Sequence, residues 1–259
     1  MSTIVKPVVT HRRSRGYAPL AWSEEGTALL ARIIDLAREM GPGHVAVFDL
    51  DGCLFDTRPR QVQIFRELAA RAGFDPLYRV TVEHFTDWSI RSTLTSAGVD
   101  ADWIDTHIDA VRAWWERHFF TSTYVLYDHA MPGAAALVRA VHEAGIHCVY
   151  LTGRDETMRL GTEHALRRFG FPYDQEGTTL LVKPDFRTDD TEFKEGALEI
   201  VAAIGNVVLY LDNEPANVNL FRRRHPESLV VFLETDHSPK PIEPDPEIPW
   251  LRSFVTRPV

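Results

Sequence analysis

The sequence of 259 residues has only two cysteines, no long apolar run and no excess of basic residues. Cys53 and Cys148 have neither the number nor the spacing of a disulfide framework or a zinc site, so a reducing compartment is expected. The apolar runs fall far short of the roughly 18 residues that cross a bilayer. Because segment 1–10 also lacks the charged-then-apolar order of a secretion signal, we expect a cytoplasmic protein without a membrane segment.

The formal net charge of −9 at pH 7 opposes general binding to nucleic acid, which requires a net basic face. Two basic clusters depart from this balance, residues 11–15 in an N-terminal arm and residues 222–225 at an expected helix end. Cations at the end of a helix favour its dipole, and runs of charge usually form solvated surface. We therefore expect no nucleic-acid partner.

Five apolar runs indicate buried strands of a parallel sheet. They cover residues 45–50, 146–151, 178–182, 207–211 and 229–233. Helical segments with proline or aspartate near the start and glycine at the end lie between the later runs, at 132–145, 155–170 and 190–205. Strands that alternate with helices predict an α/β fold with a Rossmann-like, doubly wound parallel sheet of about five strands.

Residues 57–127, hereafter the insert, lack a strong strand signal and predict an inserted helical module. Pro59 begins one amphipathic helix that Gly73 ends. A second helix, from about Asp102, repeats tryptophans and aliphatic residues at helical spacing, and such a stripe is more often core than a ligand site. We thus predict an N-terminal extension with one helix (1–43), a Rossmann-like core (44–56 and 128–259) and a helical cap formed by the insert.

The two flanks of this core are less informative. Ser23 is a good N-cap that is followed by two acids, and it predicts a helix that stops at residues 41–43. From His237 onward the chain carries six prolines and is expected to be an irregular strap or a disordered end rather than a further domain.

Asp49 and Asp51 directly follow the first apolar run, at the edge of the sheet where open α/β folds bind ligands. Gly52 then lets the chain turn away without steric cost. A calcium loop is excluded, because Cys53 stands where that pattern needs a third oxygen ligand. The alternative is an ordinary strand-end turn in which aspartates form local hydrogen bonds.

Three further polar signatures accompany the later strands. Thr152 and Gly153 follow the second strand, where a hydroxyl, a glycine amide and a helix N-terminus can hold an anion. Lys194 lies in the first turns of a helix, where a cation opposes the dipole and needs an anionic partner unless it is simply exposed. Asp212 ends the fourth strand, so Asp49, Asp51 and Asp212 can share one Mg²⁺ with water and a phosphate oxygen.

These four signatures, in this order and each tied to a strand, resemble the haloacid dehalogenase superfamily from about Val45 to Leu233. That superfamily has Asp-x-Asp-Gly, then a Thr or Ser followed by Gly, then a lysine, then an acidic cluster. The resemblance implies a Mg²⁺-dependent phosphatase of small phosphorylated metabolites, with a helical cap inserted after the first motif. Members that cleave carbon–halogen or carbon–phosphorus bonds lack the second aspartate, so Asp51 implies phosphate-ester chemistry.

The resemblance also implies a role for each matching residue. Asp49 is expected to be the nucleophile and Asp51 the general acid and base. The phosphoryl group is expected to bind Thr152, Gly153 and Lys194. The metal ligands are expected to be the Asp49 and Asp212 carboxylates and the main-chain carbonyl of Asp51.

Some assignments stay open at this point. Asn213 and Asn217 stand where many relatives carry a second acid, and Glu214 is a possible substitute. Lys183 competes with Lys194 for the lysine motif, although the family lysine commonly precedes the helix that leads into the fourth strand. A phosphomutase or phosphotransferase, a polynucleotide end-phosphatase and a non-catalytic phosphate-binding module are the alternative functions, and neither the substrate nor the oligomeric state is indicated.

Overall fold

The computed structural model of the protein describes residues 22–85 and 87–257, so the basic residues 11–15 lie outside the described part. A six-stranded sheet forms its centre, with all pairings parallel and the order β5-β4-β1-β6-β7-β8. A separate two-stranded ribbon pairs β2 with β3. The strands are β1 (His44–Phe48), β2 (Phe55–Asp56), β3 (His129–Ala130), β4 (His147–Asp155), β5 (Thr178–Lys183), β6 (Asn206–Asp212), β7 (Leu229–Leu233) and β8 (Trp250–Leu251).

The predicted α/β fold with a doubly wound parallel sheet is confirmed. The chain adds β4 and β5 on one side of β1 and β6, β7 and β8 on the other, so strand order reverses between β1 and β6. Ligands of such sheets bind outside the carboxyl ends of the strands at the reversal point. The residues that follow β1 and β6 therefore flank the expected binding crevice.

The prediction of about five strands missed one, which the proline-rich tail supplies. β8 pairs with β7 in parallel, with Trp250 opposite Phe232 and Leu251 opposite Leu233. A strand of two residues is too short to show a periodic pattern in the sequence. Residues 237–257 of the tail therefore form a strap that extends the sheet.

Helices cover both faces of the sheet and bury alternate side chains of β1. Ala46 and Phe48 belong to a core cluster with residues of α1, α6 and α7, whereas Val45 and Val47 pack with α8 and α9. The expected helix after Ser23 is present, with the Ser23 hydroxyl as its N-cap. These helices are α1 (Glu24–Met40), α6 (Ala134–Glu143), α7 (Arg159–Arg168), α8 (Asp190–Ile204) and α9 (Pro215–Arg224).

The insert is helical, as predicted, and leaves and re-enters the core at neighbouring points, because the β2–β3 ribbon pairs Asp56 with His129. Its helices are α2 (Arg58–Ala72), α3 (Ile90–Ser96), α4 (Ala101–Phe119) and α5 (Ser122–Val125). The aromatic stripe of α4 packs on a hydrophobic cluster made of insert residues alone, which confirms the packing interpretation. The division of the chain into three parts stays a prediction.

Arg222, Arg223 and Arg224 lie in the last turn of α9, as expected. Among the described residues, no helix is both long and apolar enough to cross a membrane.

Candidate active site

The turn after β1 places two aspartates at the reversal point of the sheet. The Asp49 N–H donates to the Leu211 carbonyl at 2.9 Å, which continues the β1–β6 pairing. Gly52 has a φ of +74°, and a Cβ there would collide with the Asn213 side chain. The first and fourth motifs are thus packed directly against each other, and only glycine fits between them.

A cavity of about 280 Å³ opens at this edge of the sheet. Aromatic side chains of the insert and two residues of the tail contribute to its wall. All six residues that the sequence singled out for catalysis, phosphate or metal line it, namely Asp49, Asp51, Thr152, Gly153, Lys194 and Asp212. The fold therefore brings together residues from four separate segments of the chain.

Lys194 is buried between two carboxylates. Its Nζ lies 2.6 Å from Asp49 Oδ1 and 2.7 Å from Asp212 Oδ2. Burial raises the pKa of Asp49 to about 8, and the charge of Asp212 adds to this rise while Lys194 opposes it. Burial lowers the pKa of Lys194, but Asp212 and Asp49 together raise it above its ordinary value. This acidic cluster, Asp49, Asp212 and Lys194, thus contains two carboxylates for one cation.

Asp51 is held by a second group of charges, hereafter the arginine network, which consists of Asp51, Arg60, Asp128 and Arg154. Arg154 Nε lies 3.1 Å from both carboxylate oxygens of Asp51, and Arg154 Nη2 lies 2.7 Å from Asp128 Oδ2. Arg60 Nε donates to Asp128 Oδ1 at 2.8 Å, and Arg60 Nη2 lies 3.4 Å from Asp51 Oδ1. The network contains two carboxylates for two guanidinium groups.

Asp51 and Arg154 of the arginine network line the cavity, but Asp51 alone among the four members has an exposed side chain. Its side chain is 25 % exposed, whereas the side chains of the other three members are fully buried. Burial raises the pKa of Asp51, but Arg154 and Arg60 outweigh it and hold that pKa below its ordinary value. The pKa of Asp128 is raised, because burial there prevails over the two arginines. Sequence reasoning gave no role to Arg60, Asp128 or Arg154.

The second motif differs from its expected setting. Thr152, Gly153 and Arg154 lie inside β4, which continues to Asp155 through a register shift after Leu151. They do not directly precede a helix, since a 3-10 turn over Glu156–Met158 comes before α7. A Cβ on Gly153 would lie 2.8 Å from Asp190 Oδ2, so this strand end closely approaches the start of α8.

Lys183 and Glu214, whose roles the sequence left open, both have partners away from Asp49. Lys183 Nζ binds Asp190 Oδ1 at 2.6 Å and the Thr188 carbonyl at 3.0 Å, so it is engaged away from Asp49. Both carboxylate oxygens of Glu214 accept hydrogen bonds from Ser238, at 3.0 and 2.7 Å. Glu214 therefore binds the tail in this structure rather than reaching Asp49 as a substitute ligand.

The acidic cluster fits a magnesium ion. Within the described residues, no three His, Cys, Asp or Glu side chains converge into a ready-made metal site. Mg²⁺, however, needs only one or two carboxylates besides water and a phosphate oxygen. Asn217 Nδ2 donates to Asp212 Oδ2 at 3.1 Å, and the buried Asn217 Oδ1 has no hydrogen-bond partner. An unpaired acceptor beside two carboxylates suits a hydrated cation.

The fold of the chain is similar to that of known structures. No curated protein sequence matches the chain. A predicted phosphoglycolate phosphatase from Haemophilus somnus 129PT is similar with a TM-score of 0.51 and 13 % identity, over 81 % of this chain and 94 % of that one. A subfamily IA hydrolase of the HAD superfamily from Geobacter sulfurreducens PCA is similar with a TM-score of 0.49 and 13 % identity, over 82 % and 93 % of the two chains.

Structural similarity at 13 % sequence identity shows a shared fold and no more. The sequence itself gives the stronger finding, because the model of the haloacid dehalogenase-like hydrolases matches residues 44–219, well over half of the chain. This match runs from the start of β1 into α9 and includes all four motifs. The prediction made from those motifs is confirmed, and the chain belongs to the haloacid dehalogenase-like hydrolase family.

Proposed function

We propose that this hydrolase cleaves phosphate monoesters of small metabolites with the help of Mg²⁺ and through an aspartyl-phosphate on Asp49. The observation that carries the proposal is the different pairing of two neighbouring aspartates at one cavity. Asp49 shares a single lysine with Asp212, whereas Asp51 is bound by two arginines. One carboxylate therefore lies in a setting short of positive charge, as a metal-assisted nucleophile requires.

In the first half-reaction, an Asp49 oxygen forms a bond to phosphorus while the bond between phosphorus and the leaving oxygen breaks. The leaving oxygen keeps the electron pair and takes a proton from Asp51. Asp51 must take up that proton as the substrate binds, because Arg154 and Arg60 keep its pKa low in the free protein. Lys194 and the Thr152 hydroxyl bind the phosphoryl oxygens and stabilise the charge that they carry. The Asp49 and Asp212 carboxylates and the main-chain carbonyl of Asp51 would hold Mg²⁺, whose charge would let a carboxylate approach a phosphate dianion.

In the second half-reaction, Asp51 takes a proton from a water molecule that attacks the same phosphorus. The bond between Asp49 and phosphorus then breaks, inorganic phosphate leaves, and both aspartates return to their starting protonation states. Positioning and charge neutralisation provide most of the acceleration, as in other phosphoryl transfers.

The cavity favours a small substrate. Its volume of about 280 Å³ is near the lower end of small-molecule sites. Trp88, Phe119 and Phe120 of the insert form part of its wall, together with the charged residues of the strand ends. The insert thus acts as a cap that contacts the leaving group and excludes water.

A screen of phosphorylated metabolites and p-nitrophenyl phosphate for phosphate release tests the proposal. The Asp49→Asn variant should lose activity by about a thousandfold or more, because it lacks the nucleophile but keeps the side-chain volume. Its thermal melt should stay cooperative. Absence of phosphate release by the wild type would contradict the function, isomerised product without phosphate would indicate a mutase, and an active, folded Asp49→Asn variant would contradict the covalent mechanism.

A further inference from the structure

The arginine network connects both junctions of the insert to Asp51. Arg60 lies in the first turn of α2, directly after the chain enters the insert. Asp128 is the first residue after the insert, immediately before β3. Arg154 comes from β4 of the central sheet. Residues that are far apart in the chain thus meet at a single carboxylate of the cavity.

We propose that Arg154 and Arg60 are positioning residues that direct the Asp51 carboxylate toward the leaving oxygen, and that they couple its direction to the seating of the insert on the core. The proposal rests on the proposed function, in which Asp51 transfers the proton. Neither arginine is a catalytic residue in this scheme, because both act through Asp51.

The two guanidinium groups are fixed on all sides. Besides the two carboxylates, Arg154 Nη1 donates to Thr162 Oγ1 at 3.1 Å. Arg60 Nη1 donates to the Phe119 carbonyl at 3.1 Å, and its guanidinium carbon lies 4.4 Å from the centre of the Phe119 ring. Rotation of either group would break several bonds in a buried setting, where unpaired donors are costly. They therefore form a rigid support for Asp51.

Binding of the substrate phosphate is a less suitable role for these arginines. Their charges are balanced by Asp51 and Asp128, and both side chains are buried, although Arg154 lies in the cavity wall. A contribution to stability does not explain the network either, since buried ion pairs are often no more stabilising than apolar side chains of equal volume. The network instead fixes the direction of the Asp51 carboxylate, its one exposed side chain.

Arg154 should contribute more than Arg60. Arg154 Nε lies 3.1 Å from both oxygens of Asp51, and Arg154 Nη2 also donates to Oδ1. Contact through two neighbouring guanidinium nitrogens holds a carboxylate in one plane. Arg60 reaches Asp51 at 3.4 Å and mainly holds Asp128. Lysine keeps the charge of either residue but lacks the planar fork that contacts two carboxylates at once.

The test compares two substrates that differ in their need for a proton. One is p-nitrophenyl phosphate, whose leaving group departs without protonation, and the other is the alkyl phosphate that the wild type hydrolyses fastest. Arg154→Lys should lower kcat for the alkyl phosphate about 10- to 100-fold more than kcat for the aryl phosphate, since proton transfer is worth about 100-fold or more. Arg60→Lys should change the ratio in the same direction by a smaller factor.

Arg58→Lys is the matched control, because Arg58 lies in the same helix and forms an ion pair with Asp56 at 2.7 Å. It should leave the ratio of the two rates unchanged. In an Asp51→Asn background, Arg154→Lys should not alter the ratio further. That result would separate an effect through Asp51 from a general disturbance of the site.

Equal losses on both substrates, or a change of ratio that persists without Asp51, would overturn the positioning role. If Arg154→Lys does not fold, Arg60→Lys carries the test, and failure of both variants to fold would assign the network to stability alone. A wild type that releases phosphate from neither substrate contradicts the proposed function and the positioning role together. Hydrolysis of both by the wild type, with an unchanged ratio in the variants, contradicts only the positioning role.

Discussion

The acidic cluster and the arginine network lie at the same cavity and differ in their balance of charge. The acidic cluster holds Asp49 and Asp212 against the single cation Lys194. The arginine network holds two carboxylates against two guanidinium groups. With both of its carboxylates ionised, the acidic cluster carries a net negative charge, which the metal-free protein avoids by holding a proton on Asp49 below about pH 8. The arginine network is neutral.

This difference separates two tasks that similar side chains perform. A cluster with an unbalanced carboxylate attracts a cation and is the expected place for Mg²⁺, which repays the cost of burying the charge. A balanced cluster has no charge left for a ligand and keeps its members in fixed positions. The metal is thus expected to meet Asp51 only through its main-chain carbonyl, because its carboxylate is already bound by Arg154.

Removal of divalent metal should have the largest effect on activity. Excess chelator should reduce phosphate release to background, and Mg²⁺ should restore it better than Ca²⁺, which prefers more ligands and a looser geometry. The Mg²⁺ concentration for half-maximal activity should rise at least about tenfold in Asp212→Asn. It should be unchanged in Asp128→Asn, and a parallel rise in both variants would contradict the assignment of the metal to the acidic cluster.

The same two variants should differ in stability when metal is absent. Asp128→Asn leaves two buried arginines with only Asp51 and should lower the free energy of unfolding by about 3 kcal/mol or more. Asp212→Asn leaves Asp49 and Lys194 as a balanced pair, so its cost should be less than about half as large. Urea unfolding in chelator, followed by tryptophan fluorescence, measures both values. Equal losses would show that charge balance does not distinguish the clusters.

The pH dependence of stability should reveal the raised pKa of Asp49. Burial lifts this pKa from an ordinary 3.8 to about 8, so the folded metal-free protein binds the proton more tightly than the unfolded chain. The resulting stability is complete below pH 3.8 and is lost as pH rises through about 8. Between about pH 5 and pH 7 the slope due to Asp49 approaches about 1.4 kcal/mol per pH unit.

Comparison with Asp49→Asn isolates this contribution, because all other titrating groups are common to both proteins. The wild type in chelator should lose stability relative to the variant as pH rises across this range. Coincident slopes would mean that Lys194 keeps Asp49 ionised in the folded protein and that burial is the weaker influence.

The acidic cluster was accessible to sequence reasoning and the arginine network was not. Asp49, Lys194 and Asp212 each carry a local signal, since they stand at strand ends or in a helix turn where their charge is unusual. Arg60 is separated from Asp128 by 68 residues, and Arg154 from Asp51 by 103. A charged residue in an amphipathic helix is normally solvated, so nothing local marks Arg60 as buried.

The tail was underestimated for a related reason. Its strand has only two residues, and scattered hydrogen bonds join the tail and the two residues before it to the core. Asn213 Nδ2 donates to the Asp236 carbonyl at 2.6 Å, and the Thr235 hydroxyl donates to the Gly52 carbonyl. Proline content correctly predicts an irregular path, but it carries no information on what that path touches.

The smallest expected effect concerns this tail, which places Ser238 and Lys240 in the cavity wall. Ser238→Ala removes the 2.7 Å hydrogen bond to Glu214 and should lower stability by about 1 kcal/mol or less. Because the tail lines the cavity and takes no part in the proposed chemistry of either aspartate, KM should rise severalfold while kcat stays nearly constant. Such a split would distinguish the tail from both charge clusters, whose variants lower kcat.

Asn219→Ala is the matched control for the tail, because Asn219 holds it away from the cavity. Asn219 Oδ1 accepts from the Asp245 N–H at 2.7 Å, and its Nδ2 donates to the Glu243 carbonyl at 2.8 Å. Its loss should cost at least as much stability as Ser238→Ala, since two bonds are removed instead of one. KM should nevertheless stay at the wild-type value. If both variants raise KM equally, KM depends on the overall placement of the tail, and Ser238 has no separate part in binding.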